Sequence, residues 1–146
     1  MLKILVMNGP NLNMLGIREK NIYGTKTLDD INSLITEKAK EIGVEVSFYQ
    51  SNCEGELIDR IHAAYNKIDG IIINPGAYSH YSLAIHDAIK AVSIPTYEVH
   101  ISNVFEREEE RRTLITAKAC KEVIAGHGEN SYIIALEGLV NELKNR

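Results

Sequence analysis

Two short runs constrain this chain most. Ile4-Leu5-Val6-Met7 and Ile71-Ile72-Ile73 are apolar at every position. A strand without polar alternation must be covered on both faces, as in a parallel sheet flanked by helices. The rest of the chain alternates strand and helix signals around them. Thr27 stands three residues before Asp30 as an approximate capping box, and Leu28, Ile31, Leu34, Ile35, Ala39 and Ile42 follow at helical spacing up to a stop at Gly43. Val44 to Gln50 alternates as a half-exposed edge strand should. Leu57, Ile58, Ile61, Ala64 and Tyr65 mark a second amphipathic helix that ends near Asn66.

After the isoleucine run, Asn74 to His80 reads as a turn-rich loop, and Leu83, Ala84, Ala88, Ile89 and Val92 continue as a third helix. Pro95 starts a fourth strand, Thr96-Tyr97-Glu98-Val99-His100, which is unusual for a buried strand in carrying charge at its far end. Ile101 to Thr113 is expected as a loop with a short charged helical turn. Glu122 to Ala125 supplies a fifth strand, and Tyr132, Ile133, Leu136, Val140 and Leu143 a last helix. Five strands alternating with helices imply right-handed βαβ units. The expected fold is a flavodoxin-like α/β three-layer sandwich, a single domain over residues 1–146 whose five-stranded parallel sheet has the order 2-1-3-4-5.

That order places a topological switch point between strands one and three, where ligands bind outside the carboxyl ends of the strands. The long polar stretch Asn8 to Gly24 leaves strand one there. With it come Asn11, Arg18 and Tyr23, then Asn74 and His80 from beyond strand three, and Glu98, His100 and Ser102 from the end of strand four. Such convergence of titratable and hydrogen-bonding groups is the default active-site hypothesis.

Each residue also has a plainer explanation. Asn8, Asn11 and Asn13 are common turn formers, and Tyr23 is one of seven tyrosines, most of which simply pack. His80 and His86 do not share a helical face, His62 reads as a solvated or core-edge residue and His127 as a loop residue, so no metal site is expected. His100 differs, because Glu98 two residues earlier points to the same side of the sheet and would orient the imidazole and support its charged form. In the charged run from Glu106 to Arg112, Arg107 and Arg111 are four apart. They either belong to a solvated helix or jointly meet an anion.

Composition narrows the function classes. Acidic residues outnumber basic ones, 20 to 16, for a formal charge of −4, which argues against a nucleic-acid partner. Cys53 and Cys120 show no metal or disulfide spacing, which fits a reducing cytoplasm, and the short N-terminal apolar run is neither a signal peptide nor a membrane span. A flavin or nucleotide module on this fold would want a hydroxyl-rich phosphate loop after strand one, yet Asn8 to Asn13 contains no Ser or Thr. A receiver-type signalling domain would want clustered acids there, and Asn8 and Asn11 occupy the place.

Taken together, Asn8-Gly9-Pro10-Asn11-Leu12, Tyr23-Gly24, Gln50-Ser51-Asn52 with Glu54-Gly55-Glu56-Leu57-Ile58, Asn74-Pro75, His80, and Glu98-Val99-His100-Ile101-Ser102-Asn103 with Arg107-Glu108-Glu109 and Arg111 resemble the type II 3-dehydroquinate dehydratases over nearly the whole chain. The resemblance implies anti elimination of water from 3-dehydroquinate to 3-dehydroshikimate, through an enolate and with no cofactor, in the shikimate pathway or in quinate catabolism. It implies that Tyr23 is the base, His100 the acid, Arg18 a lid residue that stabilises the tyrosinate, and Asn11 a holder of the enolate. Substrate contacts fall on Asn74, His80, Asp87, the amides of Ile101 and Ser102, and Arg111. Asp87 is implied to reach a neighbour's site within a homododecamer of four trimers. Where the family often has a proline after the Arg-Glu pair of the lid, this chain has Lys20-Asn21, which implies a more mobile lid. The chemistry is consistent with these roles. A tyrosine, with an ordinary pKa of about 10, needs nearby positive charge to act as a base near neutrality, and a developing enolate needs preorganised donors.

Overall fold

The structure, a computed structural model, describes residues 1–17 and 19–146. Strands β1 (Lys3–Asn8), β2 (Glu45–Gln50), β3 (Gly70–Asn74), β4 (Thr96–His100) and β5 (Glu122–Ala125) form one parallel sheet in the order β2-β1-β3-β4-β5. The expected flavodoxin-like order is therefore present, with β2 at an edge and β3 central. The helices are α1 (Lys20–Tyr23), α2 (Leu28–Ile42), α3 (Glu54–Ala63), α4 (Leu83–Val92) and α5 (Asn130–Lys144).

The period of two along each strand divides the core into two layers. Ile4, Val6, Ile72 and Val99 pack with Ile31 and Ile35 of α2 and with Leu136 and Leu139 of α5. Leu5, Met7, Ile71 and Ile73 pack on the other side with Leu57 and Ile61 of α3 and with Ile85 and Ile89 of α4. Both faces of β1 and β3 are thus covered, which is why their sequences have no polar alternation. Helix α2 starts at the expected capping box. Thr27 Oγ1 accepts from the Asp30 amide at 3.1 Å, Asp30 Oδ2 accepts from the Thr27 amide at 3.0 Å, and Gly43 ends the helix in the left-handed region at φ 76°.

Connections account for the differences from the sequence reading. The segment expected as a turn-rich loop after β3 is a 3-10 helix over Gly76–His80, and the charged segment after β4, expected to hold one short helical turn, holds two 3-10 helices, Val104–Glu106 and Glu109–Arg111. Short 3-10 turns lack the 3.6-residue apolar period by which a helix is recognised. Because Arg107 is extended between the latter two (φ −93°, ψ −171°), Arg107 and Arg111 do not share a face of one helix, contrary to what their spacing suggests. Helix α3 ends at Ala63 rather than near Asn66, which turns the chain with a φ of 64°. No helix among the described residues is long and apolar enough to cross a membrane.

The loops that leave β1 and β3 are pressed together. The Gly9 amide donates to the Asn74 carbonyl at 2.8 Å, and a Cβ on Gly9 would lie 2.4 Å from the Pro75 carbonyl oxygen. That obstacle is backbone and cannot swing aside. Gly9→Ala is expected to cost about 1–3 kcal/mol, seen as a lower Tm, together with weakened activity because both loops border the site described next.

Candidate active site

Register brings Asn8 and Asn74, the last residues of β1 and β3, side by side at the switch point. Tyr132 of α5 locks them there: its hydroxyl donates to Asn8 Oδ1 at 2.5 Å and accepts from Asn74 Nδ2 at 3.0 Å. Burial pushes the Tyr132 hydroxyl well above the ordinary phenol range, so it serves only as a neutral bridge. Asn74 Oδ1 in turn accepts from the Gly76 amide at 3.1 Å and holds the start of the 3-10 helix that carries His80.

Above this floor lies a crevice of about 550 Å³, part of it open to solvent. Asn11, Tyr23, Asn74, His80, His100, Ile101, Ser102 and Arg111 all border it, so the structure gathers these predicted residues in one place. Asn11 adopts φ 70°, which asparagine tolerates better than most residues, and its amide donates to Asn52 Oδ1 at 3.0 Å. Glu98 sits behind the crevice, fully buried, with Oε2 2.7 Å from His100 Nε2. An ionised carboxylate only accepts, so Nε2 carries the proton and Nδ1 is the nitrogen available to a ligand.

His80 stacks beside His100 with ring centroids 6.5 Å apart, and its Nδ1 lies 2.9 Å from the Thr113 carbonyl. Because a carbonyl only accepts, Nδ1 is protonated and Nε2 is left as an acceptor. Burial, joined by the nearby His100 and Arg111, holds His80 below the ordinary imidazole pKa, against the opposing pull of Thr113 and Glu98. His80 is thus kept neutral close to a cation.

The residue that spacing alone left undecided is Arg107. Its Nη1 donates to the Tyr23 hydroxyl at 2.6 Å, and its guanidinium carbon lies 5.3 Å from the Tyr23 ring centroid. Nη1 also reaches Ser102 Oγ at 3.5 Å, while Glu19 and Glu108 approach Nη2 at 3.9 and 3.7 Å. Arg18, expected to act on Tyr23, lies outside the described residues. Asp87 is not brought to this crevice; it is exposed on α4, where Oδ1 pairs with His86 Nδ1 at 2.8 Å. Among the described residues no set of three or more His, Cys, Asp or Glu side chains is gathered to hold a metal ion.

A family model for class II dehydroquinases matches residues 2–140. The chain belongs to the class II dehydroquinase family. Membership makes it a dehydratase, a carbon–oxygen lyase. A 3-dehydroquinate dehydratase of Caldicellulosiruptor bescii is 64% identical over 140 residues, covering 95% of this chain and 97% of its own. The crystal structure of a type II dehydroquinase from Butyrivibrio crossotus superposes with a TM-score of 0.94 at 55% identity, covering 95% of this chain and 97% of that one. Another, from Propionibacterium acnes, gives 0.93 at 41% identity, covering 97% of each chain.

Proposed function

We propose that the protein eliminates water from 3-dehydroquinate in the anti sense, through an enolate and without a cofactor, to give 3-dehydroshikimate. The observation that carries this reading is the Arg107 guanidinium 2.6 Å from the Tyr23 oxygen, in the same crevice as the Glu98–His100 pair. A guanidinium donating to a phenol oxygen stabilises negative charge on it, as a tyrosinate base requires. Tyr23 takes the C2 proton, and electron density moves onto the C3 carbonyl oxygen. Asn11 holds that enolate, directly or through a water. The enolate then collapses, the C1–oxygen bond breaks as His100 Nδ1 protonates the departing hydroxyl, and a C1–C2 double bond conjugated to the ketone remains. Proton and electron pair balance: one proton passes to Tyr23, one leaves His100, and water is the co-product.

The same reading assigns substrate contacts to Asn74, His80, the amides of Ile101 and Ser102, and Arg111. Two backbone N–H groups after a strand suit a carboxylate, and Arg111 adds charge beside them. Arg18 would join Arg107 on the tyrosinate from the lid. Asp87, exposed on α4, would complete a neighbouring subunit's site in a dodecamer of trimers, and the exposed Tyr81 and Leu83 offer apolar surface for such an assembly. The reaction would serve the shikimate pathway or quinate catabolism in the cytoplasm. Adding 3-dehydroquinate to the folded, assembled protein should produce the ultraviolet absorbance of a conjugated enone, and no signal would refute the reading.

A further inference from the structure

The acid half of the site has a backing that the reaction itself does not explain. Glu98 is fully buried, and among the described residues each of its carboxylate oxygens meets one donor. His100 Nε2 holds Oε2 at 2.7 Å, and Thr116 Oγ1 donates to Oε1 at 2.5 Å. Thr116 is itself fully buried at the start of the 3-10 helix Thr116–Ala119. The Ile115 amide ties that segment to the Ser79 carbonyl at 2.7 Å, next to His80, and the Thr113 carbonyl accepts from His80 Nδ1 at 2.9 Å. Residues 113–116 therefore reach both imidazoles of the crevice, one through a carbonyl and the other through Glu98.

We propose that Thr116 is a positioning residue for the dehydration: its hydroxyl fixes the Glu98 carboxylate so that His100 holds its Nε2 proton and delivers a second proton from Nδ1. This rests on the reading of His100 as the acid. Without the hydroxyl, Oε1 would be a buried acceptor with no donor among the described residues, and the loss is greatest when Glu98 bears full negative charge, that is, when the pair has released its proton. The pair then grips that proton to higher pH and gives it up less readily to the leaving hydroxyl. The other titratable or charged groups around the pair, among the described residues, are His80 stacked on His100, Arg107, Arg111 and Tyr23 across the crevice, and Cys120 behind Glu98. Cys120 is held neutral by burial and by Glu98, so it supplies no competing charge.

The test compares wild type with Thr116→Val and Thr116→Ser by steady-state kinetics and by NMR titration of nitrogen-15-labelled histidine. Thr116→Val should lower kcat about tenfold with KM changed less than twofold, and should move the His100 titration up by about one pH unit, the same tenfold expressed as proton affinity. Thr116→Ser, which restores a hydroxyl, should recover both values. An unmoved His100 titration in Thr116→Val, or equal losses in the valine and serine variants, would overturn the proposal and leave Thr116 a packing residue. If the valine variant does not fold, Thr116→Cys, a weaker donor of similar size, must shift the titration in the same direction, and no shift overturns the proposal. The titration needs no substrate. Lack of turnover by wild type would therefore refute the dehydration reading alone, whereas turnover with an unmoved titration would refute the role of Thr116 alone.

Discussion

Tyr23→Phe is expected to leave a folded protein that still binds 3-dehydroquinate but turns it over about 10²–10⁴-fold more slowly, the range lost with a general base. The ring is partly buried against the core that includes Leu12, Leu15 and Ile101, and phenylalanine preserves that packing. What disappears is the oxygen 2.6 Å from Arg107 Nη1, the atom proposed to accept the substrate proton. The split between a large fall in kcat and a nearly constant binding constant, measured with a product-like ligand, is the informative result. Near-normal turnover would show that another group is the base.

Arg107→Met should have the next largest effect, a fall in kcat of about 10²–10³-fold, comparable to removing one preorganised electrostatic donor from an active site. Methionine keeps length and apolar contact but cannot stabilise the phenolate. Arg107→Lys should recover only part of the loss, because one ammonium cannot at once donate to Tyr23, reach Ser102 and lie against the ring as the planar guanidinium does. Pre-steady-state mixing with substrate should place the defect in the proton-transfer step. Should Arg107→Met lose binding while keeping kcat, Arg107 would be a substrate anchor and not a partner of the base.

The parts of this molecule legible in the sequence are those governed by local periodicity. Ile4 to Met7 and Ile71 to Ile73 read as doubly covered strands because every position faces a helix layer, and Thr27 with Asp30 marks the start of α2 through contacts three residues apart. The Glu98–His100 pair was legible for a similar reason, since a separation of two on one strand puts both side chains on one face. Arg107 was less so: in a run of alternating charges it looks solvated, and only the fold brings it 84 residues back to Tyr23. Tyr132 reaches Asn8 across 124 residues, and Thr116 reaches Glu98 from a 3-10 turn without periodicity, so neither leaves a local signal.

The segment Lys20–Tyr23, where the resemblance implies a more mobile lid, is one helical turn that delivers Tyr23 to Arg107. That turn is entered through Glu19 at a φ of 30°, and the Glu19 carboxylate approaches Arg107 at 3.9 Å. The position of Tyr23 and the surroundings of Arg107 are thus both shaped by this short segment.

Substrate carrying deuterium at one defined C2 position tests the proposed chemistry most directly. With the deuterium trans to the C1 hydroxyl, the wild-type protein should form 3-dehydroshikimate from which the label has been lost; with it cis, the product should retain the label. Retention from the trans-labelled substrate, with loss from the cis-labelled one, would mean syn removal and would contradict an elimination in which Tyr23 and His100 act on opposite faces.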